Sequence, residues 1–395
     1  MGTVLLRFGE LFLKSEAVKK IYMRTLRQNI DLALAAAGAE HEIEVRRDRI
    51  LVHGPDVDAI TRVVSRIFGI VDVAVCTRTG TTIPEMGGVA LERARRHLRA
   101  GMSFAVRAKR EGVEGYTSQE IGAEVGSVIY DAIPGLSVDL SHPDYEVFVE
   151  ARPYGGLVYD ERIPAPRGLP FGTQDRVLTL LSAGIDSPVA SWLMMRRGCT
   201  ATHLSLDSGR WQGTAVRDAV IRHHAILSTW CMGHPLDLIV ADMEPFFDAM
   251  TAAGEYHYRC LLCKRFMVRV ADAVARKEGV LAVVTGDNLG QVASQTLANL
   301  GVIEAAATLP LLRPLLTYEK AEAVDLARMI GTFDEDAGDL GCRAVPKKPA
   351  TRADLTKIEE AEEKIGVDDL VAAAMESLRR VRAKNGKIVG EEEGA

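Results

Sequence analysis

One segment of the sequence has the residue types and order of a phosphate site. The apolar run VLTLL leads directly into SAGIDS, residues 182–187, and then into the helix-like run PVASWLMMRRG. A loop of small residues between a strand and a helix directs backbone N–H groups and the positive helix end to one point, where a phosphate fits. The GxxxxGK[ST] pattern of a Walker loop is absent. The alternative is a plain strand-to-helix turn, because short loops of small residues are common.

Cysteines form the second group with chemical potential. Cys260 and Cys263 make a CLLC run, and this spacing lets two thiolates face one metal ion or each other. His257 precedes them and is a candidate further ligand of a closed zinc site. The other cysteines in apolar surroundings are interpreted as packed thiols; they are Cys76, Cys199 and Cys231.

A third candidate is the basic segment 91–110, LERARRHLRAGMSFAVRAKR, in which Glu92 is the only acidic residue. Clustered arginine and lysine can contact RNA phosphates, although a solvated helix face is an equally good interpretation of composition alone. The candidate RNA-binding residues are Arg95, Arg96, Arg99, Arg107, Lys109 and Arg110.

The elements that must position these residues fall into several domains, since 395 residues exceed what one core usually serves. Residues 1–54 are predicted to form strand, helix, strand, strand, and residues 55–163 a second α+β module. Residues 164–174, rich in Pro and Gly, are the predicted linker. In 175–395, apolar strands alternate with helices, which indicates a doubly wound parallel α/β sheet. Its central strands are predicted at VLTLLS, ATHLSLD, LDLIVAD and LAVVTG.

The tail from Thr351 to Lys387 is predicted to be helical and polar, with EEAEEK as a solvated face. Hydrophobic residues make up 47% and charged residues 26%, as in globular proteins. Charges interrupt the N-terminal apolar residues, and no apolar run is long enough to span a bilayer, so secretion and membrane insertion are not expected. Six cysteines are too few for a disulfide scaffold. We therefore expect a cytoplasmic protein.

The segment SAGIDSPVASWLMMRRG resembles the SGGxDS pyrophosphate loop of PP-loop ATP pyrophosphatases, and most of all that of the tRNA 4-thiouridine synthetases. Three further regions are similar to the same family: RFGELFLKS, IFGIVDVAV of its THUMP domain, and VVTGDNLGQVASQTLANL. Ala183 stands where the family usually has glycine, and alanine resists positive φ, so this residue bears on how tightly the loop can wrap pyrophosphate.

The resemblance implies ferredoxin-like, THUMP and PP-loop domains, with ATP and Mg²⁺ at the last and Asp186 as a catalytic residue. Gly286 permits close approach of adenine or ribose, or is a turn glycine. His203 is alternatively a core histidine, and Lys264, with its neighbour Arg265, alternatively caps a solvated surface. The ATP-binding residues that it implies are Leu180, Leu181, Ser182, Gly184, Ser187, His203, Leu204, Lys264, Gly286 and Gln295.

For sulfur chemistry, GCRAVPKKPATRADL resembles the family segment whose cysteine, here Cys342, carries a persulfide. With Cys260 and Cys263 it also resembles the subset of members whose three cysteines hold an iron–sulfur cluster, [4Fe–4S] or [3Fe–4S], with one iron open to hydrosulfide. The cluster is our main interpretation. The alternatives are a thiol–persulfide pair and a zinc site. The appended rhodanese-like domain of some members is not expected.

The resemblance implies adenylation of a tRNA uridine, uridine 8, at O4 and sulfur transfer to C4. The expected partners are tRNA, a sulfur donor (a cysteine desulfurase or inorganic sulfide) and a second copy in a homodimer. The alternatives are a PP-loop amidating ligase, another PP-loop sulfurtransferase such as a sulfur carrier of the thiamine pathway, and a non-catalytic tRNA-binding protein.

Overall fold

The computed structural model describes residues 1–9, 15–335, 346 and 348–393. The chain divides into two compact units, Met1–Gly168 and Leu169–Ala395.

The first unit opens with the predicted strand, helix, strand, strand. These are β1 (Gly2–Phe8), α1 (Glu16–Ala36), β2 (Glu42–Val45) and β3 (Ile50–Gly54), followed by α2 (Val57–Val64) and β4 (Ile70–Thr79). Asp56 caps α2, since its side chain accepts a hydrogen bond from the Ala59 N–H.

The rest of this unit contains the helices and strands of the predicted α+β module. They are α3 (Ile83–His97), β5 (Ser103–Arg110), α4 (Ser118–Ala132), β6 (Ser137–Val138), β7 (Tyr145–Arg152), β8 (Gly155–Tyr159) and β9 (Ile163–Pro164). One sheet runs in the order β2, β3, β1, β4, β8, β7, β5, β6, with β9 paired to β4. At the start of the predicted linker, β9 and the backbone of Arg167 bond to residues 69–73.

The second unit is built on the predicted alternation of strands and helices. Its elements are β10 (Arg176–Leu180), α5 (Asp186–Arg196), β11 (Thr200–Asp207), α6 (Thr214–Ser228), β12 (Leu236–Asp242), α7 (Glu244–Ala252), α8 (Arg259–Glu278), β13 (Ala282–Val284), α9 (Leu297–Glu304), β14 (Leu311–Leu312), α10 (Lys320–Ile330), α11 (Leu355–Ile365), α12 (Val367–Glu376), β15 (Arg379–Lys384) and β16 (Lys387–Glu393).

The sheet of this unit has the order β14, β13, β10, β11, β12, β15, β16. Its first five strands pair in parallel. The predicted doubly wound parallel α/β sheet is confirmed, and all four predicted central strands are present. Parallel strands carry their carboxyl ends at one edge of the sheet, where ligands of such folds bind. The segments that follow β10, β11, β13 and β14 therefore meet at this edge.

The prediction of a helical, polar tail is wrong in two respects. Helices α11 and α12 are followed by an antiparallel hairpin, β15 and β16, which extends the sheet beyond β12. Its turn holds Asn385 and Gly386 at positive φ, as a two-residue hairpin requires. Within EEAEEK, Glu362 is only 2% exposed because it pairs with Arg265 and Arg269 of α8.

Candidate functional site

The loop after β10 is closed by its own serines. The Ser182 N–H donates to the Ser187 hydroxyl at 2.9 Å, the two hydroxyls lie 2.9 Å apart, and the Gly184 N–H lies 3.3 Å from the Ser182 hydroxyl. Ser187 is buried, whereas Ser182 and Gly184 are exposed. The segment therefore has the compact shape of an anion-binding loop at the start of α5.

Ala183 does not strain this loop. In the described part of the chain, Arg167 and Asn385 are the only non-glycine residues with positive φ. Ala183 thus adopts a conformation that any L-residue adopts, and the reluctance of alanine to take positive φ has no bearing on how tightly the loop closes.

Gly286, which follows β13, brings a second segment against the loop. A Cβ on this residue would lie 2.7 Å from the Ser187 nitrogen and 2.8 Å from the Asp186 carbonyl carbon. Both atoms are backbone and cannot swing away. The close approach that requires glycine here is therefore to the loop, whereas the sequence suggested adenine or ribose.

Two lysines bring positive charge to the same edge, each paired with an aspartate. Lys264 Nζ lies 2.6 Å from Asp287 Oδ1. Lys320 Nζ, at the start of α10, lies 2.9 Å from both oxygens of Asp186. Sequence reasoning missed Lys320, whose only local signal was a lysine at a helix start.

Asp287 is the centre of the polar contacts on the β13 side. It accepts hydrogen bonds from Thr285 Oγ1 at 2.8 Å and Gln295 Nε2 at 3.4 Å, besides Lys264. Burial raises the pKa of Asp287, but the charge of Lys264 and these hydrogen bonds outweigh it and lower the pKa overall. The group is therefore a carboxylate at neutral pH. Arg265, next to Lys264, is fully buried instead and binds Glu362.

On the other side of β10, Leu181 bonds through its N–H to the carbonyl of Leu204 at 2.8 Å. The His203 side chain is fully buried, with Nε2 2.8 Å from Ser191 Oγ and Nδ1 2.8 Å from His224 Nδ1. Burial, and then the neighbouring His224, lower the pKa of His203 well below its usual value. Its side chain thus belongs to the core, the alternative that the sequence left open, and His203 lies in β11 between the paired strands β10 and β12.

His223 is a second residue that sequence reasoning missed. Its Nδ1 donates to the carbonyl oxygen of Ser182, 3.1 Å away. Burial lowers the pKa of His223, so the imidazole is neutral at neutral pH. No local pattern marks it, since the contact joins α6 to a loop far away in the chain.

Cys260 and Cys263 occupy the first two turns of α8 and are half-buried. Residues three apart share one helix face, so both thiols can serve one ligand. Cys342 lies outside the described residues. Among the residues that the structure describes, no group of three His, Cys, Asp or Glu side chains is placed to hold a metal ion. His257 therefore does not form a three-ligand metal site with Cys260 and Cys263.

The remaining cysteines are packed thiols, as predicted. All three are buried, and burial raises the pKa of Cys76 and of Cys231 to about 12. Burial also raises the pKa of Cys199. Such thiols are poor nucleophiles and poor metal ligands.

The cations of the basic segment 91–110 fall into two groups, those paired within the protein and those exposed on its surface. Arg93 is turned inward to Asp160 and the Val75 carbonyl. Arg107 pairs with Glu146 at 2.7 Å. The exposed cations of the segment are Arg95, Arg96, Arg99, Lys109 and Arg110.

A cavity of about 1490 Å³ lies in the first unit beside β5. Arg107 and Lys109 line it, together with Arg162 and the rings of Phe148 and Tyr159. These two rings stack with centroids 5.0 Å apart. The Arg162 guanidinium carbon lies 5.7 Å from the centroid of the Phe148 ring. Cations beside aromatic rings suit a nucleic acid ligand, although carboxylates such as Glu146 and Glu150 also line the cavity. Across the described ranges, no helix is both long and apolar enough to cross a membrane.

Comparison with known proteins gives consistent matches along the chain. The family model described as thiamine biosynthesis protein (ThiI) matches residues 172–367, the ThiI ferredoxin-like domain matches 3–74 and the THUMP domain matches 80–158. The "Probable tRNA sulfurtransferase" of Methanothermobacter thermautotrophicus is 36% identical over 93% of this chain and 95% of its own length. The "Probable tRNA sulfurtransferase" of Methanosarcina acetivorans is 34% identical over 96% of this chain and 93% of its own length.

Among solved structures, the chain resembles a 4-thiouridine synthetase in complex with RNA and bound ATP. The TM-score is 0.84 at 29% identity, over 97% of this chain and 100% of that one. The chain therefore belongs to the ThiI family of tRNA sulfurtransferases, with ferredoxin-like, THUMP and PP-loop domains.

Proposed function

We propose that this protein is an ATP-dependent tRNA sulfurtransferase that converts uridine 8 of tRNA to 4-thiouridine. The observation that carries the proposal is the convergence at one sheet edge. Gly286 packs on the loop 182–187, and Lys264, one residue after Cys263, binds the adjacent Asp287. An anion-binding loop, lysines and a cysteine pair on neighbouring elements suit adenylation followed by sulfur transfer.

Adenylation is required because the C4 oxygen of uridine is a poor leaving group. In the proposed first step, O4 attacks the α-phosphorus of ATP, the bond to the bridging oxygen of the β-phosphate breaks, and pyrophosphate departs. The N3 proton is lost, which leaves a C4=N3 double bond. The loop from Ser182 to Ser187 holds the departing pyrophosphate, while Lys264 and Lys320 offset its charge. Asp186 and Asp287 are oxygen ligands of the kind that Mg²⁺ prefers.

In the proposed second step, hydrosulfide adds to C4, its proton goes to N3, and AMP leaves with the former O4. The three cysteines Cys260, Cys263 and Cys342 are proposed to hold an iron–sulfur cluster, which would supply an open iron for sulfide. Cys260 and Cys263 fit this role because they share one helix face. The sulfur comes from a cysteine desulfurase or from inorganic sulfide.

The first unit is proposed to bind the tRNA. Its exposed arginines, Arg95, Arg96 and Arg99, are suited to phosphates, and the cavity lined by Phe148 and Tyr159 to an unpaired nucleotide. Uridine 8 must reach the phosphate loop while the first unit holds the same tRNA. We propose that the protein acts as a homodimer, in which both units can bind one tRNA and uridine 8 reaches the phosphate loop. We also propose that it acts in the cytoplasm.

The experiment that tests the proposal measures pyrophosphate release by the purified protein with ATP, with and without tRNA, and then analyses the tRNA nucleosides after adding sulfide. We expect release to depend on tRNA and 4-thiouridine to form. A tRNA with cytidine at position 8 is the matched control and should give neither. Release without tRNA would indicate an amidating ligase, and tRNA binding without release would indicate a non-catalytic protein.

A further inference from the structure

Arg313 follows β14 directly, at the same sheet edge as the loop, and its hydrogen-bonding capacity is only partly used. Its side chain is 12% exposed. Nη1 binds Glu304, whereas Nε stands 3.6 Å from the nearest Asp287 oxygen, beyond hydrogen-bonding distance. Within the part of the chain that the structure describes, Nε and Nη2 are buried and have no acceptor.

The unused atoms form one edge of the guanidinium. The N–H bonds of Nε and Nη2 point in the same direction and together bind a group with two oxygens. In Arg265 the same edge is closed on Glu362, with Nε and Nη2 at 2.8 Å and 2.7 Å from its two oxygens. A buried donor left without an acceptor costs free energy. The open edge of Arg313 therefore marks the place of a ligand with two acceptor oxygens.

The position of this edge identifies the ligand. Asp287, whose carboxylate lies 3.6 Å from Arg313 Nε, also binds Lys264 and is the residue after Gly286, which packs on the loop at Ser187. If the loop holds the departing pyrophosphate, the phosphorus under attack lies next to it. Its non-bridging oxygens are a two-oxygen acceptor, whereas a uracil carbonyl offers one oxygen.

We propose that Arg313 binds the two non-bridging oxygens of the α-phosphate of ATP and of the adenylated uridine. This inference rests on the proposed function, because it takes the α-phosphorus as the reacting atom. As O4 attacks, negative charge grows on these oxygens, and the fixed guanidinium stabilises it more than in the ground state. Arg313 is thus a catalytic residue for the first step and leaves the pyrophosphate to the loop.

The first test is binding, which needs no turnover. ATP and inorganic pyrophosphate are titrated into the wild type, Arg313→Gln and Arg313→Lys by calorimetry. Arg313→Gln should weaken ATP binding about tenfold or more, the loss expected for charge-assisted hydrogen bonds. Its pyrophosphate affinity should stay within about twofold of the wild type. Equal loss for both ligands, with an unchanged thermal midpoint, would overturn the assignment. Arg328→Gln is the matched control, since Arg328 lies exposed on α10.

The second test uses the two diastereomers of adenosine 5′-O-(1-thiotriphosphate), in which sulfur replaces one non-bridging α-oxygen. Sulfur accepts hydrogen bonds poorly and each diastereomer weakens one of the two contacts to Arg313, so the wild type should release pyrophosphate more slowly from both diastereomers than from ATP. Arg313→Gln should slow the reaction with ATP about 10²- to 10³-fold. It should also reduce the rate ratio between ATP and each diastereomer about tenfold, the value of one charge-assisted hydrogen bond, whereas Arg313→Lys should keep part of this ratio.

A wild type that is equally fast with ATP and with both diastereomers, or a rate ratio unchanged in Arg313→Gln, would refute the contact, because a merely structural arginine would slow all three nucleotides alike. If the wild type releases no pyrophosphate from ATP with tRNA, the proposed function fails. In that case the binding comparison still decides whether Arg313 contacts the α-phosphate.

Discussion

Replacing Gly286 by alanine is expected to disable the ATP site by moving the phosphate loop. The added methyl would lie 2.7 Å from the Ser187 nitrogen and 3.0 Å from its Cα. Ordinary contacts of this kind are about 3.4 to 4 Å, so the loop or β13 must shift by more than half an ångström. Because α5 begins at Asp186, the shift would displace the helix start together with the loop.

The size of the effect follows from the cost of overpacking. Forcing a methyl into a packed site costs about 1–3 kcal/mol. If this cost falls on the loop conformation that binds ATP, affinity drops roughly 5- to 150-fold, since 1.4 kcal/mol corresponds to a factor of ten. Gly301→Ala is the matched control, because a Cβ there meets nothing within 4 Å. Within α9 it should slightly stabilise the fold, by about 0.5–1 kcal/mol.

The assay combines calorimetric ATP binding, tRNA-dependent pyrophosphate release and tRNA binding at fixed salt. Gly286→Ala should weaken ATP binding and pyrophosphate release but keep the tRNA affinity of the wild type, because the contacts of Gly286 lie in the second unit. An ATP affinity within twofold of the wild type would refute the argument from close approach. If Gly301→Ala lost as much ATP affinity as Gly286→Ala, the loss would be a general effect of replacing glycine in this unit.

Four further outcomes are expected. Asp186→Ala should abolish pyrophosphate release while tRNA affinity stays nearly intact; equal loss of both would contradict the division of roles between the units. Glu362→Gln should cost about 3–5 kcal/mol of unfolding free energy at pH 7. Burial raises the pKa of Glu362 but its arginine partners lower it overall, so this difference should shrink as pH falls below the unfolded carboxyl value of about 4.3, as denaturant titrations can show. Cys260→Ala should lower iron content and thiolation together but leave adenylation intact. Full thiolation activity of iron-free protein would indicate a persulfide mechanism, and stoichiometric zinc in the protein would indicate a structural zinc site. Reversing the charges of the exposed residues Arg95, Arg96 and Arg99 should weaken tRNA binding and reduce its dependence on salt concentration. An unchanged slope of log affinity against log salt concentration would mean that these arginines form only a solvated helix face.

The sequence predicts the second unit well because its central strands are buried on both faces. Such strands appear as continuous apolar runs, and LDLIVAD matches β12 residue for residue. The loop was also predictable, since small residues at 182–187 lie between a strand and a helix. The hairpin of the tail had a signal too, because Asn385 and Gly386 form the dipeptide that favours a two-residue turn. Its charged strands concealed the alternation that marks a β-strand.

What the sequence does not predict are contacts between elements far apart in the chain. Lys320 reaches Asp186 only because α10 and α5 pack together, and nothing near either residue indicates the pairing. Glu362 belongs to an acidic run that is typical of a solvated face, yet Arg265 and Arg269 bury it. Arg313 follows a strand of two residues, too short for a periodic pattern to be recognised. For Lys320 and Glu362, partners far away in the chain decide the role, and for Arg313 the proposed ligand does.

The two lysine–aspartate pairs at the loop differ in how easily they can open. The side chains of Lys320 and Asp186 are 45% and 24% exposed, and a pair of this kind is worth about 0–1 kcal/mol. Asp287 is 8% exposed and has further donors in Thr285 and Gln295, so its pair with Lys264 is held more firmly. On arrival of ATP we therefore expect Lys320 to exchange its aspartate for phosphate oxygens first. That exchange would free Asp186 for the proposed Mg²⁺, while Lys264 would keep its place beside Asp287.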